Sequence, residues 1–205
     1  MIGLFGKKVG MSQIFDENGD VITVTVIKAG PCPVVQIKEE EKEGYNSVQI
    51  AYELKKSTRA TLPEIGHFKK SDLPPYRHLR EIRTDDIDKY QPGQLLGVDM
   101  FKESDTVDIS GKSKGKGFQG VVKRYGFGGG RKTHGGRGLR KTGSIGMSAD
   151  PSRVIKGKKM PGRMGGENIH IKNLKVVEVD PDNDLLLVKG SVPGPRNNIL
   201  WITRR

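Results

Sequence analysis

Between residues 111 and 166 the chain carries a basic, glycine-rich segment that cannot supply a hydrophobic core of its own. This basic segment holds fifteen of the 36 lysine and arginine residues, seventeen glycines and a single acidic residue, Asp150. The remainder of the chain, with 21 basic and 23 acidic residues, is slightly negative. A charge excess without counter-ions requires a polyanion beside it, and nucleic acid is the expected polyanion.

The residues outside the basic segment contain enough valine, isoleucine and leucine for an ordinary core in a chain of 205 residues. We therefore predict a compact body formed by residues 1–110 and 167–205, with residues 111–166 as an appendage. Cys32 is the only cysteine, which excludes an internal disulfide and a cysteine-based zinc site, and it is expected to be buried in a reducing compartment. No apolar run approaches the roughly 20 residues that span a bilayer, and the N-terminus does not resemble a signal peptide. A soluble, cytoplasmic protein without a membrane partner is expected.

Alternating and β-branched residues predict strands through the first third of the chain. Residues 11–15 and 21–27 form a predicted hairpin across the turn 16–20, where Asn18-Gly19 suits left-handed backbone conformations. Strands at 34–38 and 47–52 are expected to continue it as a meander. Residues 54–94 are less regular and partly helical, with Thr84-Asp85-Asp86 as a helix cap.

Further strands are predicted on both sides of the basic segment, at 95–101, 106–110, 169–179 and 185–190, with a last edge strand at 198–203. Many short strands without alternating helices favour a mainly β fold, an antiparallel barrel that is closed or nearly closed. The basic segment is far longer than a hairpin loop, so it is expected to be a functional extension inserted between two strands.

Neither the glycine pattern nor the histidines of the chain predict a catalytic site. Residues 115–122 match the glycine-rich pattern G-x-G-x-x-G-x-V, which occurs in dinucleotide sites and in kinases. A dinucleotide site also needs an acidic residue about 20 positions later, and this chain has none there. The other kinase motifs are absent as well. The histidines at 67, 78, 134 and 170 are scattered without ligand spacing. We expect no catalytic residue, metal site, cofactor or small-molecule substrate, and a phosphate-handling enzyme stays a minor alternative.

The basic segment alternates cationic side chains with glycines, which allow close approach between backbone and RNA. Apolar residues such as Val121 and Val122 favour an ordered element over a solvated tail, and a short helix is expected from about Phe118 to Tyr125. Phe118, Tyr125 and Phe127 could stack on bases or pack within the segment. The candidates for RNA contact are fifteen basic side chains and one histidine: Lys112, Lys114, Lys116, Lys123, Arg124, Arg131, Lys132, His134, Arg137, Arg140, Lys141, Arg153, Lys156, Lys158, Lys159 and Arg163.

Several stretches, in order along nearly the whole chain, resemble one known family. They are residues 3–11 (GLFGKKVGM), 29–33 (AGPCP), 113–121 (SKGKGFQGV), 133–135 (THG), 143–146 (GSIG), 156–162 (KGKKMPG) and 185–194 (LLLVKGSVPG). The chain resembles the third protein of the large ribosomal subunit in its bacterial form. Arg137, Arg140 and Lys141 lie in a tip whose match to the family is looser.

The resemblance implies a translation-protein-type β-barrel bound to large-subunit rRNA in the cytoplasm. It also implies an arm that runs toward the peptidyl transferase centre, a role early in subunit assembly and contacts with neighbouring ribosomal proteins. A free RNA chaperone or a histone-like nucleic-acid binder would explain the charge equally well, although it would not explain the ordered family matches.

Overall fold

The computed structural model describes residues 2–16 and 18–204 and divides the chain into two compact units. The first unit, which we call the body, is Met1–Lys112 with Asn168–Arg205, and the second, the extension, is Ser113–Glu167. The strands are β1 (Ile2–Phe15), β2 (Val21–Ala29), β3 (Cys32–Lys38), β4 (Ser47–Leu54), β5 (Tyr76–Arg83), β6 (Leu95–Leu96), β7 (Thr106–Lys112), β8 (Phe118–Gln119), β9 (Gly162–Arg163), β10 (Asn168–Asp180), β11 (Leu185–Lys189) and β12 (Ile199–Arg204). The α-helices are α1 (Glu40–Glu43), α2 (Leu62–Lys69) and α3 (Val121–Tyr125). None of the helices in the described ranges is long and apolar enough to cross a bilayer.

Six strands of the body close into an antiparallel barrel in the order β1-β12-β7-β10-β11-β2. Its interior is filled by aliphatic side chains that alternate along each strand, such as Leu4 on β1, Ile109 on β7 and Ile202 on β12, all fully buried. The barrel confirms the predicted mainly β fold. The expectation of a last edge strand is wrong, because β12 pairs with β1 on one side and with β7 on the other.

A second, four-stranded sheet in the order β5-β4-β3-β6 packs against the barrel. The expected meander is therefore wrong, since the chain leaves the barrel after β2 and β3 pairs with β4 and β6 instead. Phe5 of the barrel stacks on Tyr52 of β4, with ring centroids 5.8 Å apart and planes at 14°. One hydrophobic cluster consequently runs through both sheets.

The stretch between β4 and β6 is more regular than the sequence indicated. Helix α2 begins with a capping box in which the Glu64 carboxylate accepts the Thr61 backbone N–H at 2.9 Å, and Phe68 anchors the helix in a small apolar cluster. At the expected cap, the Asp86 backbone N–H donates to the Thr84 hydroxyl at 3.3 Å. A single 3₁₀ turn over Ile87–Lys89 follows. The strand predicted at 95–101 ends at Leu96, because Val98–Met100 forms another 3₁₀ turn.

Local features follow the expected turn and burial chemistry. The β1–β2 hairpin turns through Gly19 at a φ of +80°, while Glu17 of the predicted turn lies outside the described residues. Cys32 is fully buried and its thiol lies 3.8 Å from the Phe5 carbonyl oxygen. Burial, assisted by the charge of Asp184, raises the pKa of the Cys32 thiol to about 12. This thiol is therefore protonated and unreactive at neutral pH.

Strands β7 and β10 pair directly with each other where the extension leaves the body, with Lys112 opposite Asn168. Both ends of the extension therefore start from one antiparallel hairpin. The Asn198 side-chain amide donates to the Lys112 carbonyl at 3.2 Å and to the Pro193 carbonyl at 3.3 Å. The buried Lys8 ammonium donates to the carbonyls of Val192 and Gly194 at 3.0 and 3.3 Å, which fixes the loop that carries these contacts.

Candidate nucleic-acid interface

The base of the extension is a narrow two-stranded ladder. Ser113 donates its backbone N–H to the Glu167 carbonyl at 2.8 Å, and Lys116 donates to the Met164 carbonyl at 2.9 Å. Met164 donates back to Gly117 at 2.9 Å, and the short strands β8 and β9 continue the pairing. Gly165, with a φ of +71°, lies against the Lys114 carbonyl where any Cβ would collide. This ladder distinguishes the base of the extension from a solvated tail.

Helix α3 begins after Gly120 and ends at Tyr125. The capping residue Gly126 has a φ of +73° and donates its backbone N–H to the Val122 carbonyl at 2.9 Å. The helix was expected from about Phe118, but Phe118 and Gln119 belong to β8, so the helix starts three residues later. Val121 is its buried residue. Lys123 and Arg124 lie in its last turn, as expected.

Arg124 is held inside the extension. Its Nη1 donates to the Met160 carbonyl at 2.9 Å, and its guanidinium carbon lies 5.0 Å from the Tyr125 ring centroid. A Cβ at Gly162 would collide with the guanidinium, so a larger residue there would displace the Arg124 side chain from this position. Lys159 reaches the same ring, with Nζ 5.7 Å from its centroid. Arg124 therefore joins α3 to the chain that leads into β9.

The three aromatic side chains have different environments. Tyr125 carries the two cationic contacts and lies 6.4 Å from Phe127, measured between ring centroids. Phe118 is 77% exposed. Packing within the extension thus occupies Tyr125, whereas Phe118 presents an open ring that could stack on a base.

Beyond α3, residues 128–159 contain turns but no helix or strand. Gly130 donates to the Leu139 carbonyl at 3.1 Å, and Gly136 packs against the Arg131 carbonyl too closely for any side chain. An open concavity of about 610 Å³ is lined by glycine backbone together with Phe127, Lys141 and Thr142. Backbone in this arrangement is accessible to a ligand because the glycines carry no side chains.

The candidate side chains are presented to solvent. Every one of the sixteen is exposed except Arg124, which is half-buried. Across the described residues, none of the fifteen basic candidates forms an ion pair within 4.0 Å. The structure brings Arg124 and Lys159 together at Tyr125, and the other candidates are distributed along the surface. The assignment of all sixteen to RNA contact stays a prediction.

The charge of the chain is separated between the two units. The extension has fourteen basic and two acidic residues, a formal charge of +12 that equals that of the whole chain, and the body has 22 of each. The sequence predicts the segment at residues 111–166, and the second unit is Ser113–Glu167. The sequence does not indicate Asn198 and Lys8, which hold the body residues around Lys112 and the 192–194 loop. Their types carry no signal, since their role depends on contacts with residues more than 80 positions away.

The scattered histidines of the body have ordinary polar partners. His67 lies 2.7 Å from the Gln49 side-chain oxygen, and His170 Nδ1 lies 2.6 Å from the Ser110 hydroxyl. His78 approaches the Glu53 carboxylate at 3.7 Å. Within residues 2–16 and 18–204, no group of three or more His, Cys, Asp or Glu side chains is arranged to hold a metal ion.

Comparison with known proteins identifies the family of this chain. The family described as Ribosomal protein L3 matches residues 81–184. The chain is 48% identical over 204 residues to the large ribosomal subunit protein uL3 of Brachyspira pilosicoli, covering 100% of this chain and 94% of that protein. It is 52% identical over 200 residues to uL3 of Geobacillus sp. (strain WCH70), covering 98% and 94%, and 47% identical over 209 residues to uL3 of Staphylococcus epidermidis, covering 98% and 95%. The chain therefore belongs to the ribosomal protein L3 family.

Proposed function

We propose that the protein is a structural component of the large ribosomal subunit and binds large-subunit rRNA mainly through the extension. Family membership supports the ribosomal assignment. The observation that carries the rRNA interface is the concentration of the full +12 charge on an ordered extension whose cations have no carboxylate partners among the described residues. RNA phosphates would supply the missing counter-charge.

The extension would recognise RNA by charge and shape. Lysines neutralise phosphates where helices converge, and arginines add bidentate phosphate contacts or stacking on bases. The deep major groove of A-form RNA hides the base edges, so folded shape would provide most of the discrimination. Glycines at close backbone contacts, such as Gly136, keep the extension thin enough to enter narrow gaps.

We further propose the finer features that the family suggests. The extension would run toward the peptidyl transferase centre, the protein would assist early subunit assembly, and the body would contact neighbouring ribosomal proteins. Its location would be the ribosome in the cytoplasm. The proposal includes no catalytic step, cofactor, membrane or small-molecule substrate.

The salt dependence of binding to a large-subunit rRNA fragment tests the interface. If roughly eight to ten phosphates are neutralised, the logarithm of the binding constant should fall with the logarithm of salt concentration with a slope of about −6 to −9. Changing Lys156, Lys158 and Lys159 together to glutamine should make the slope shallower by about 2 to 3. The matched control changes Lys69, Lys70 and Lys102, which are exposed lysines of the body, and should leave the slope unchanged.

Two results would contradict the proposal. A shallow slope for the wild-type protein would show that phosphate neutralisation by the extension is not the basis of binding. Equal affinity for duplex DNA of the same length would favour the free chaperone or histone-like binder, since such a protein does not depend on the shape of folded rRNA.

A further inference from the structure

A basic cleft of about 310 Å³ lies on the body, outside the extension. Its walls come from β1, β5, β7, β10 and β12, and they include Phe5, Arg80, Ser110, His170 and Trp201. The volume is at the lower end of the range of small-molecule pockets, roughly 300 Å³. The cleft is large enough for one small planar group with its substituents and too small for an RNA helix.

Trp201 and Arg80 form a layered platform in this cleft. The guanidinium carbon of Arg80 lies 4.4 Å from the Trp201 ring centroid. Phe5 holds the indole edge-on, with ring centroids 4.9 Å apart and planes at 75°. The indole also packs on β1, since a Cβ at Gly3 would lie 2.7 Å from Trp201 Cζ2. The indole is thus held in place, whereas Arg80 is exposed, so part of its side chain is accessible to a ligand at the point where the guanidinium lies over the indole.

Polar and cationic groups surround the platform. The Ser110 hydroxyl lies 2.6 Å from His170 Nδ1, and Lys112 follows Ser110 by two residues on β7, so both side chains lie on one face of that strand. Among the residues that the structure describes, no acidic side chain lines the cleft. Neither Arg80 nor Lys112 forms an ion pair within the described part of the chain. The cleft therefore carries two uncompensated positive charges next to hydrogen-bonding groups.

We propose that this cleft binds one unpaired nucleotide of RNA. The base stacks on the Arg80 guanidinium with Trp201 behind it, a phosphate contacts Lys112, and Ser110 with His170 hydrogen-bonds an edge of the base or the ribose. An acidic peptide would satisfy the charges but would leave the planar platform unused. The proposal rests on the function proposed above, in that the protein binds RNA, but it requires body residues alone.

The fluorescence of Trp201 tests this site in the full-length protein, because Trp201 is the single tryptophan of the chain. Titration with single-stranded hexaadenylate or hexauridylate should change the Trp201 emission saturably. Arg80→Lys keeps the charge but removes the planar platform. The affinity measured from the Trp201 emission should therefore fall by roughly tenfold. Lys112→Gln leaves the platform intact. It should weaken the affinity for the oligonucleotide while keeping the full change in Trp201 emission at saturation.

The matched control is Arg83→Lys, which lies on the same strand and whose guanidinium carbon is 5.0 Å from the Tyr45 ring centroid, outside the cleft. It should behave as wild type. Circular dichroism and thermal unfolding of each variant verify folding, and Lys112→Gln keeps the test valid if Arg80→Lys is destabilised.

Anisotropy of a labelled oligonucleotide, measured in parallel, separates the two proposals. The cleft site would be overturned if anisotropy detected binding while the Trp201 emission did not change. It would also be overturned if Arg80→Lys bound the oligonucleotide with the affinity of the wild type. Either result would leave the proposed function of the extension unaffected. An equal response to hexaglutamate would overturn the nucleotide in favour of an acidic peptide. Loss of all RNA binding in the wild type would overturn both proposals.

Discussion

At the scale of single residues, Arg124 differs from the other cationic side chains of the extension. The others are exposed, whereas Arg124 is half-buried and uses one guanidinium N–H to hold the Met160 carbonyl. A side chain engaged in this way has less of its hydrogen-bonding surface available for phosphate. Arg124 is thus a structural element of the extension as well as a candidate contact, and charge counting could not separate these two roles.

Arg124→Lys should loosen the base of the extension without changing its charge. Lysine cannot reproduce both the bond to the Met160 carbonyl and the planar contact with Tyr125, so local opening should require about 1 to 2 kcal/mol less. Hydrogen exchange at the Lys116 and Met164 amides, which pair across the base, measures this effect. Arg153→Lys, an exposed site, is the control. Unchanged exchange in Arg124→Lys would show that the base is stable without this arginine.

At the scale of strands and sheets, a network of side chains ties β3 to β5 across β4. The Glu81 carboxylate accepts hydrogen bonds from Lys38 at 2.6 Å, from the Tyr45 hydroxyl at 2.9 Å and from the Gln49 amide at 3.3 Å. Lys38 is the main cause of a lowered pKa of Glu81. The network spans three strands of the second sheet, so its protonation state affects the stability of that sheet.

The pH dependence of stability should report this network. Because the pKa of Glu81 is lowered by folding, its stabilising contribution is present above its usual pKa of 4.5 and is lost as the pH falls through its lower folded value. The network is partly exposed, so the contribution is about 1 kcal/mol or less. The difference in urea midpoint between wild type and Glu81→Gln should shrink from pH 6 to pH 3. Glu41→Gln, an exposed site on α1, should show no such trend, and a constant difference for Glu81→Gln would refute this explanation.

The β7–β10 hairpin predicts that the body folds without the extension. Lys112 and Asn168 are direct partners, so an Asn-Gly turn can replace residues 113–167 with little strain. The shortened protein should unfold cooperatively and retain buried Trp201 fluorescence, while its RNA affinity loses most of its salt dependence. A product with secondary structure but no cooperative transition would show that the barrel depends on the extension.

Sequence patterns predicted the elements whose residues face a core. The β-branched run over 21–27 and the flanks of the basic segment gave the barrel strands, because alternation and turn residues are local signals. Strand β5 was missed because Arg77, Arg80 and Arg83 interrupt its apolar pattern, as suits an edge strand. The capping box Thr61-x-x-Glu64 is a local signal for the start of α2 that can be read from the sequence. The closing pair β1–β12 joins the two ends of the chain, and no local pattern encodes such a contact.

At the scale of the whole molecule, the neutral body and the +12 extension divide the chemistry of the protein. The position of the extension along the chain and its charge were predictable from composition. The cleft at Trp201 was not, because its residues come from five strands that are distant in sequence.

Tethered hydroxyl-radical probing tests where the extension lies in the assembled subunit. The buried Cys32 thiol, whose pKa is raised to about 12, should remain unmodified, so an added cysteine can carry the iron chelate alone. In salt-washed large subunits, Ser144→Cys on the extension should direct cleavage to rRNA of the peptidyl transferase centre. Ser57→Cys, an exposed site on the body, should cleave different helices. Cleavage from Ser144→Cys confined to the subunit surface would contradict the proposed arm, and loss of the protein during the salt wash would contradict an integral component.

Both ends of the extension start from the paired strands β7 and β10, and this has a topological consequence for assembly. A loop has no free end, so it can enter a gap only as two chains side by side and never by feeding one terminus through. An opening in RNA that would admit a single extended tail therefore excludes it. If the proposed rRNA interface is correct, any part of the gap that is narrower than two chains must form around the loop after the protein has bound, which sets the order of the two events there.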